Sequence, residues 1–382
     1  MKRKICVITG SRADCGILFS VMKAIEASPY LKLYVIATCM HLMKEFGYTL
    51  SEIKKDGFRI FKIVDISYKE DKGEAVAIAV GKAVSEFSKI FSELSPDIVL
   101  VLGDRGEMLA ASIAANYLNI PVAHIHGGEV SGHVDGVVRH AITKLSHIHF
   151  PATKSSAERI LKLGEESWRI FIAGAPALDR IKNEHLPDKN ELFKKYNLAQ
   201  GKHLIVLAQH PVSSQFRDAG KQIKITLEAV KSLKIQTIII YPNADVGGRR
   251  MIEVIKNYEN FSYFRTFKSI PHEDYLGLLR SASVLAGNSS SALIEAPSFG
   301  LPAVNIGIRQ QGRERGGNII DVSHDKEKII KAIMKAIYDI KFRAKVKRCK
   351  NFYGDGRASK RIARVLSQIK LDGRLLQKRM TY

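Results

Sequence analysis

Acidic and basic side chains gather around two short apolar runs in the first third of the chain. Ile98 to Leu102 is unbroken until Gly103-Asp104-Arg105, and Val122 to Ile125 runs into His126-Gly127-Gly128-Glu129. Apolar runs of this length read as strands buried on both faces of a parallel sheet, and the carboxyl ends of such strands are where open α/β sheets bind ligands. Asp104 and Glu129 therefore fall on one sheet edge. Asp135 and Arg139 follow, four residues apart in a helix expected over Asp135 to Lys144, close enough to touch. Carboxylates in unequal surroundings can take up and return protons, which is the chemistry this grouping suggests. Taken singly, each residue also has a structural reading: Asp104 as a helix cap, Asp135 and Arg139 as a solvated pair.

A second grouping suits a diphosphate and a sugar-like ligand. After an expected strand at Val284 to Ala286 comes Gly287-Asn288-Ser289-Ser290-Ser291, read as the start of a helix, where free N–H groups and the positive dipole end favour anions. Glu295, one turn further, is placed to reach ribose hydroxyls. Arg309, Arg313 and Arg315 lie in the glycine-containing stretch IGIRQQGRERGG, which is able to close over anionic groups or to stand as a floppy basic loop. His210 and the pair Asn243 and Asp245 each follow an apolar run, Leu204 to Ala208 and Thr237 to Tyr241. At the first strand's end, Gly10-Ser11-Arg12-Ala13-Asp14 offers backbone N–H groups and the Arg12 fork. It is neither GxGxxG nor a Walker A loop, and a plain tight turn explains it as well.

These residues must be held by a fold, and the pattern of apolar runs supplies one. Ile5 to Ile8, Leu33 to Ala37, Ile98 to Leu102 and Val122 to Ile125 read as strands of a first half. Leu204 to Ala208, Thr237 to Tyr241, Val284 to Ala286 and Ala303 to Ile306 read as strands of a second. Between them, spacings such as Leu18, Val21, Met22 and Ile25 mark core-facing helices, and alternating strands and helices mean parallel βαβ units. The expected class is α/β, two Rossmann-like domains with a central cleft. The polar stretch Lys182 to Gln200 reads as the linker region, giving domains at 1–181 and 182–355. A basic helix at 356–382 is expected to pack back on the first domain.

At 382 residues the chain exceeds what one core usually covers. The net charge of +22 invites nucleic acid, a membrane surface or an anionic substrate as partner. From Lys341 to Tyr382 there are 14 Lys or Arg against two Asp, so over half of the excess sits in a tail with few aromatic residues to stack bases. Nucleic acid is therefore not expected as a partner. No apolar run approaches the ~18 residues that cross a bilayer, so no membrane association and a cytoplasmic location are expected. Cys6, Cys15, Cys39 and Cys349 form no CxxC pair and no zinc spacing, which fits reduced thiols and no structural metal.

Taken together, the motifs resemble the hydrolysing UDP-N-acetylglucosamine 2-epimerase family. They are SRAD at Ser11 to Asp14, GDRGE at Gly103 to Glu107, HGGEVSG at His126 to Gly132 and RHAITK at Arg139 to Lys144. In the second half come QHP at Gln209 to Pro211, PNAD at Pro242 to Asp245, GNSS at Gly287 to Ser290 and RQxGRE at Arg309 to Glu314. The resemblance implies the GT-B fold of nucleotide-sugar glycosyltransferases, with the nucleotide in the second domain, a UDP-sugar substrate, no cofactor and a homodimer or homotetramer. It puts Asp104, Glu129 and Asp135 in acid–base roles and Arg139 and His210 beside the diphosphate. Ser289, Ser290, Glu295 and Arg309 fall on the nucleotide, and Arg12, Asp14, His41, Arg105, Asn243, Asp245 and Arg313 join the substrate-binding set. The implied reaction turns UDP-N-acetylglucosamine and water into N-acetylmannosamine and UDP through 2-acetamidoglucal. A related hydrolysing epimerase of a GDP-sugar or a UDP-2,4-diacetamido sugar, and a GT-B glycosyltransferase, are the alternatives. Cys15, Cys39 and His126 depart from the family pattern, and a cysteine at 39 is uncomfortable if its turn needs positive φ.

Overall fold

A computed structural model describes residues 1–130 and 134–382, with side chains throughout except at positions 134 and 135. The chain divides into two compact units. The first takes Met1–Val130, Val134–Asn183 and Tyr353–Tyr382, and the second takes Glu184–Phe352.

In the first unit the order is β1 (Arg3–Thr9), α1 (Arg12–Ala27), β2 (Leu31–Thr38), α2 (Leu50–Lys55), β3 (Ile60–Val64), α3 (Gly73–Leu94), β4 (Ile98–Leu102), α4 (Gly106–Tyr117), β5 (Val122–Ile125), α5 (Val134–Leu145), β6 (Ile148–Phe150), α6 (Lys154–Lys162) and α7 (Ala177–Asn183). All strands are parallel, in the order β3-β2-β1-β4-β5-β6. β4 and β5 are buried at every position, because helices cover both faces of the sheet. The order reverses between β1 and β4, so the loops after these strands diverge and leave a crevice at their carboxyl ends.

The second unit repeats this plan with α8 (Lys189–Lys195), β7 (Leu204–Ala208), α9 (Ala219–Leu233), β8 (Gln236–Ile240), α10 (Gly248–Lys256), β9 (Phe264–Phe267), α11 (His272–Ser281), β10 (Val284–Gly287), β11 (Ala303–Ile306), β12 (Ile319–Val322), α12 (Lys326–Tyr338) and α13 (Ile340–Lys347). Its strand order, β12-β11-β10-β7-β8-β9, reverses between β7 and β10. The chain then ends in α14 (Ala358–Gln368) and α15 (Gly373–Leu376), which belong to the first unit. Ile362, Leu366 and Leu375 join Leu18, Met22 and Ile25 of α1 in its core.

Two local expectations are corrected. After β10 no α-helix begins at the serines; two short 3-10 turns, Ser290–Ala292 and Ala296–Phe299, occupy the segment, and Pro297 near the start of the second denies the chain a continuous helical ladder. The polar stretch from Lys182 to Gln200 is also not plain linker, since α8 forms there once Asp188 caps it and Leu192 and Phe193 find burial. Among the described residues no helix is long and apolar enough to cross a membrane.

Candidate active site

At the first sheet's switch point, the turn after β1 meets the turn after β4. Ser11 caps α1 by accepting from the Asp14 N–H, and the Gly10 N–H donates to Asp14 Oδ2 at 3.3 Å. Glycine at position 10 leaves room for the approach of Glu107, since a Cβ there would lie 1.7 Å from Glu107 Oε1 and would force that side chain to shift. Glu107, in the first turn of α4 and 4% exposed, accepts from Arg105 Nε at 2.6 Å, and the same guanidinium lies 3.9 Å from Asp14. Two carboxylates thus share one arginine. Burial pushes the Asp14 carboxyl up to about 6; Arg105 opposes the shift and Glu107 adds to it. Arg12 opens α1 beside this cluster.

The neighbouring strand ends hold a second cluster. Arg139 reaches from α5 to donate through Nη2 to Asp104 Oδ2 and through Nη1 to the His126 carbonyl at 2.8 Å, with Glu129 Oε2 3.9 Å away. His126 Nδ1 and Glu129 Oε1 stand 2.5 Å apart, both residues nearly sealed from solvent. His126 adopts this pose at φ 64°, a left-handed conformation that a non-glycine residue holds only against strain. Arg139 was expected to meet Asp135 four residues before it. Among the described residues the acid that Arg139 donates to is Asp104, because α5 lies against α4 and turns Arg139 toward the end of β4. Asp135 itself is in the first turn of α5, and its side chain lies outside the described residues. Arg139 is thus committed to an acid and a carbonyl of its own unit.

Below this cluster, the buried His124 fixes the turn. Its Nε2 donates to the Gly103 carbonyl at 2.7 Å while Thr143 Oγ1 stands 3.3 Å from Nδ1, and burial drives the ring's pKa down to about 3, so it is neutral. His41, expected among the ligand-facing residues, is instead closed into the core. Its ring is 0% exposed, with Nε2 3.0 Å from Thr9 Oγ1 and Nδ1 2.7 Å from Thr49 Oγ1, and burial brings its pKa to about 3 as well. Both ring nitrogens are spent on hydroxyls, so His41 ties the β2 turn to β1. Cys39 two residues earlier sits at φ 52° with Sγ 3.9 Å from Arg105 Nη2.

On the second sheet, Asn288 organises the edge. Gly287 at φ 118° lets the end of β10 press against β7, where a Cβ would meet the Ala208 carbonyl at 2.1 Å. The buried Asn288 side chain then accepts from the His210 N–H at 2.7 Å and donates to its carbonyl at 2.9 Å. The Asn243 N–H donates to His210 Nδ1 at 3.1 Å, which leaves the proton of the neutral ring on Nε2. Asn243 Nδ2 in turn donates to Asp245 at 2.5 Å. Arg309 and Gln310 both donate to the Asn288 carbonyl, Arg313 donates to Gln310 Oε1 at 3.0 Å, and Arg315 pairs with Asp321. The arginine loop is therefore fastened rather than floppy. Ser289 caps the short turn that Ser290 begins, and Glu295 is buried just beyond it.

The sequence reading of site residues missed Glu107, His124, His126, Asn288 and Gln310. All five stand in or beside its motifs; His124, Asn288 and Gln310 act through partners far along the chain, which no local pattern reports, while Glu107 and His126 also hold the nearby Arg105 and Glu129. Among the described residues, no group of three or more His, Cys, Asp or Glu is arranged to hold a metal ion.

The family described as UDP-N-acetylglucosamine 2-epimerase matches residues 23–367. This chain belongs to that family. Among relatives in it, UDP-N,N′-diacetylbacillosamine 2-epimerase (hydrolyzing) of Legionella pneumophila is 39% identical over 100% of both chains. GDP/UDP-N,N′-diacetylbacillosamine 2-epimerase (hydrolyzing) of Campylobacter jejuni is 37% identical over 84% of each. UDP-N-acetylglucosamine 2-epimerase of Neisseria meningitidis is 35% identical over 90% of each. Solved epimerase structures share the fold at low identity. That from N. meningitidis bound to UDP-GlcNAc gives a TM-score of 0.80 at 19% identity, covering 95% of this chain and 99% of the other. That from Methanocaldococcus jannaschii with UDP-GlcNAc and UDP gives 0.79 at 20%, with the same coverage. The two parallel six-stranded sheets of this epimerase-family chain are thus those of the GT-B-like fold.

Proposed function

We propose that the protein is a hydrolysing 2-epimerase of a UDP-activated 2-acetamido sugar, with UDP-N,N′-diacetylbacillosamine as its first substrate. The identity of 39% across the full length of both chains to an enzyme named for that reaction carries the reading. It moves the substrate from UDP-N-acetylglucosamine to the 2,4-diacetamido alternative, while the reaction type stays the same.

The chemistry explains why several acids are needed. The proton on carbon 2 is poorly acidic, and its removal becomes feasible when the bond from carbon 1 to the UDP oxygen breaks in the same elimination. The proton goes to a carboxylate, the electron pair forms the double bond of a 2-acetamidoglycal, and UDP leaves. Water then adds at carbon 1, giving up a proton to a carboxylate, while a second acid returns a proton to the opposite face of carbon 2. Asp104, Glu129 and Asp135 are assigned to these transfers, with Arg139 orienting Asp104 and His126 orienting Glu129. His210, Ser289, Ser290, Glu295, Arg309 and Arg313 are assigned to UDP, the basic groups offsetting the diphosphate charge as it departs. Arg12, Asp14, Arg105, Asn243 and Asp245 complete the binding set. The family resemblance suggested that Arg139 would lie beside the diphosphate; its engagement with Asp104 favours a proton-transfer role instead.

The test is turnover in heavy water of UDP-N,N′-diacetylbacillosamine, its GDP counterpart and UDP-N-acetylglucosamine, followed by NMR. The expected products are UDP and a free sugar epimerised at carbon 2 and carrying deuterium there. An epimerised sugar retaining its original hydrogen would sink the elimination, and release of an unepimerised sugar would mark a simple hydrolase. Faster turnover of UDP-N-acetylglucosamine would return the substrate to the simpler sugar.

A further inference from the structure

The last residues of the chain close on the helix that carries Arg139. The fully buried Arg169 guanidinium grips this tail by its backbone, donating to the carbonyls of Leu375 at 2.6 Å, Arg374 at 2.8 Å and Gln377 at 3.3 Å. Leu375 is itself fully buried, and the Tyr382 ring lies over Gly164, where an added Cβ would meet it at 2.6 Å. The grip delivers Lys378 to one place. Its ammonium donates to the carbonyls of Lys144 and Ser146, each at 2.6 Å, and to Glu165 Oε2 at 2.8 Å. Three donors meet three acceptors.

Those carbonyls close the C-terminal end of α5, whose last turn leaves C=O groups without partners in the helix and carries its negative dipole end. A cation is the fitting cap, and here it arrives from 234 residues away. Glu165, 1% exposed, holds the cap from below: its Oε1 accepts from Lys144 Nζ at 2.7 Å, and His149 Nε2 stands 3.1 Å from its Oε2. Up the same helix, Thr143 Oγ1 donates to the Arg139 carbonyl at 3.0 Å, and Arg139 donates to Asp104. Lys144 lies only five residues, about 7.5 Å of helix, beyond Arg139. Seating one end of so short a helix sets the other, and misplacements of about 1 Å at a reacting group are costly.

We propose that Lys378 is a positioning residue for the Asp104–Arg139 pair: by capping α5 against Glu165 it holds Arg139 in register with the end of β4. This rests on the epimerase reading above for its catalytic consequence, and on the contacts alone for its structural one. A lysine whose role was only to anchor the tail would not single out α5 or kcat.

The test compares the full-length wild type with Lys378→Met, the milder Lys378→Gln in case the first fails to fold, the rescue variant Lys378→Arg, and Arg379→Met as an exposed neighbouring control. Lys378→Met is expected to lower kcat about tenfold while KM and UDP affinity stay within about twofold. Amide hydrogen exchange at residues 140–146 should speed up at least about fivefold, with α4 unchanged. Lys378→Arg should recover most of kcat, and Arg379→Met should match wild type. Wild-type kcat in Lys378→Met and Lys378→Gln would overturn the proposal, as would a loss spread equally over kcat, UDP binding and exchange throughout the unit. If the wild type turns over none of the sugars, the epimerase reading fails instead; unchanged exchange in α5 would then overturn the clamp and faster exchange would uphold it.

Discussion

Arg139 donates to Asp104 from 35 residues along the chain, joining helix α5 to the end of β4 at the first sheet's switch point. Arg139 is 5% exposed, and the same guanidinium holds the His126 carbonyl beside Glu129. Two acids from two strand ends are thereby organised around one cation. Removing the acid would leave a buried guanidinium short of its partner, which costs about 3–5 kcal/mol when uncompensated.

Asp104→Asn keeps the shape while removing the charge, and Glu129→Gln does the same beside His126. Each is expected to lower turnover at least about a hundredfold. UDP affinity, measured by titration, should stay near wild type because the residues proposed for the nucleotide lie in the second unit. Near-normal turnover would strike that acid from the mechanism.

Asn288→Ala probes the second sheet. The substitution removes both bonds to the His210 backbone, and a buried polar group left unpaired costs about 1–3 kcal/mol. UDP binding should weaken at least about tenfold, with a fall of several degrees in Tm. Unchanged affinity would separate the His210 loop from the nucleotide.

Cys39 occupies left-handed backbone at φ 52°. Glycine carries no penalty there, so Cys39→Gly should stabilise the protein by about 1 kcal/mol in denaturant unfolding. A destabilised variant would mean that the thiol's packing and its contact with Arg105 outweigh the strain.

Glu165 gives a pH signature. Burial alone would raise its pKa, but the bonds from His149, Lys144 and Lys378 prevail and carry it from 4.5 down to about 2. A carboxyl depressed on folding contributes stability above its unfolded value and loses it as pH falls through the folded one. About 3 kcal/mol should therefore fade between pH 4.5 and 2. Glu165→Gln should be less stable than wild type at pH 7, and the gap in unfolding free energy should narrow across that window. A gap independent of pH would show that the carboxylate's charge contributes nothing.

The strands show where sequence reading succeeds. β4, β5, β7 and β11 lie where their apolar runs do, end to end. Four strands escaped it: β3, β6, β9 and β12, the outer strands of the two sheets. Edge strands are covered less completely, so IFKIV, FRTF and IIDV keep polar residues that break the apolar run, and IHF is only three residues long. The serine segment after β10 misled for another reason: hydroxyl residues that suit a helix cap suit a 3-10 turn equally.

What the sequence determined by itself was the set of central strands, and with it the placing of Asp104, Glu129 and His210 just beyond strand ends, because burial on both faces demands a continuous apolar run that any reader of the chain can see. Cys39 was legible in the same way, since side-chain type alone says which residues resist positive φ. Only the tertiary structure decided the partners: Arg139 with Asp104, His41 sealed between Thr9 and Thr49, Glu107 against Gly10, Asn288 on His210, and Lys378 on the end of α5. Such pairings depend on how strand order and helix packing bring distant segments to one sheet edge, and that geometry leaves no periodic trace in the chain on either side.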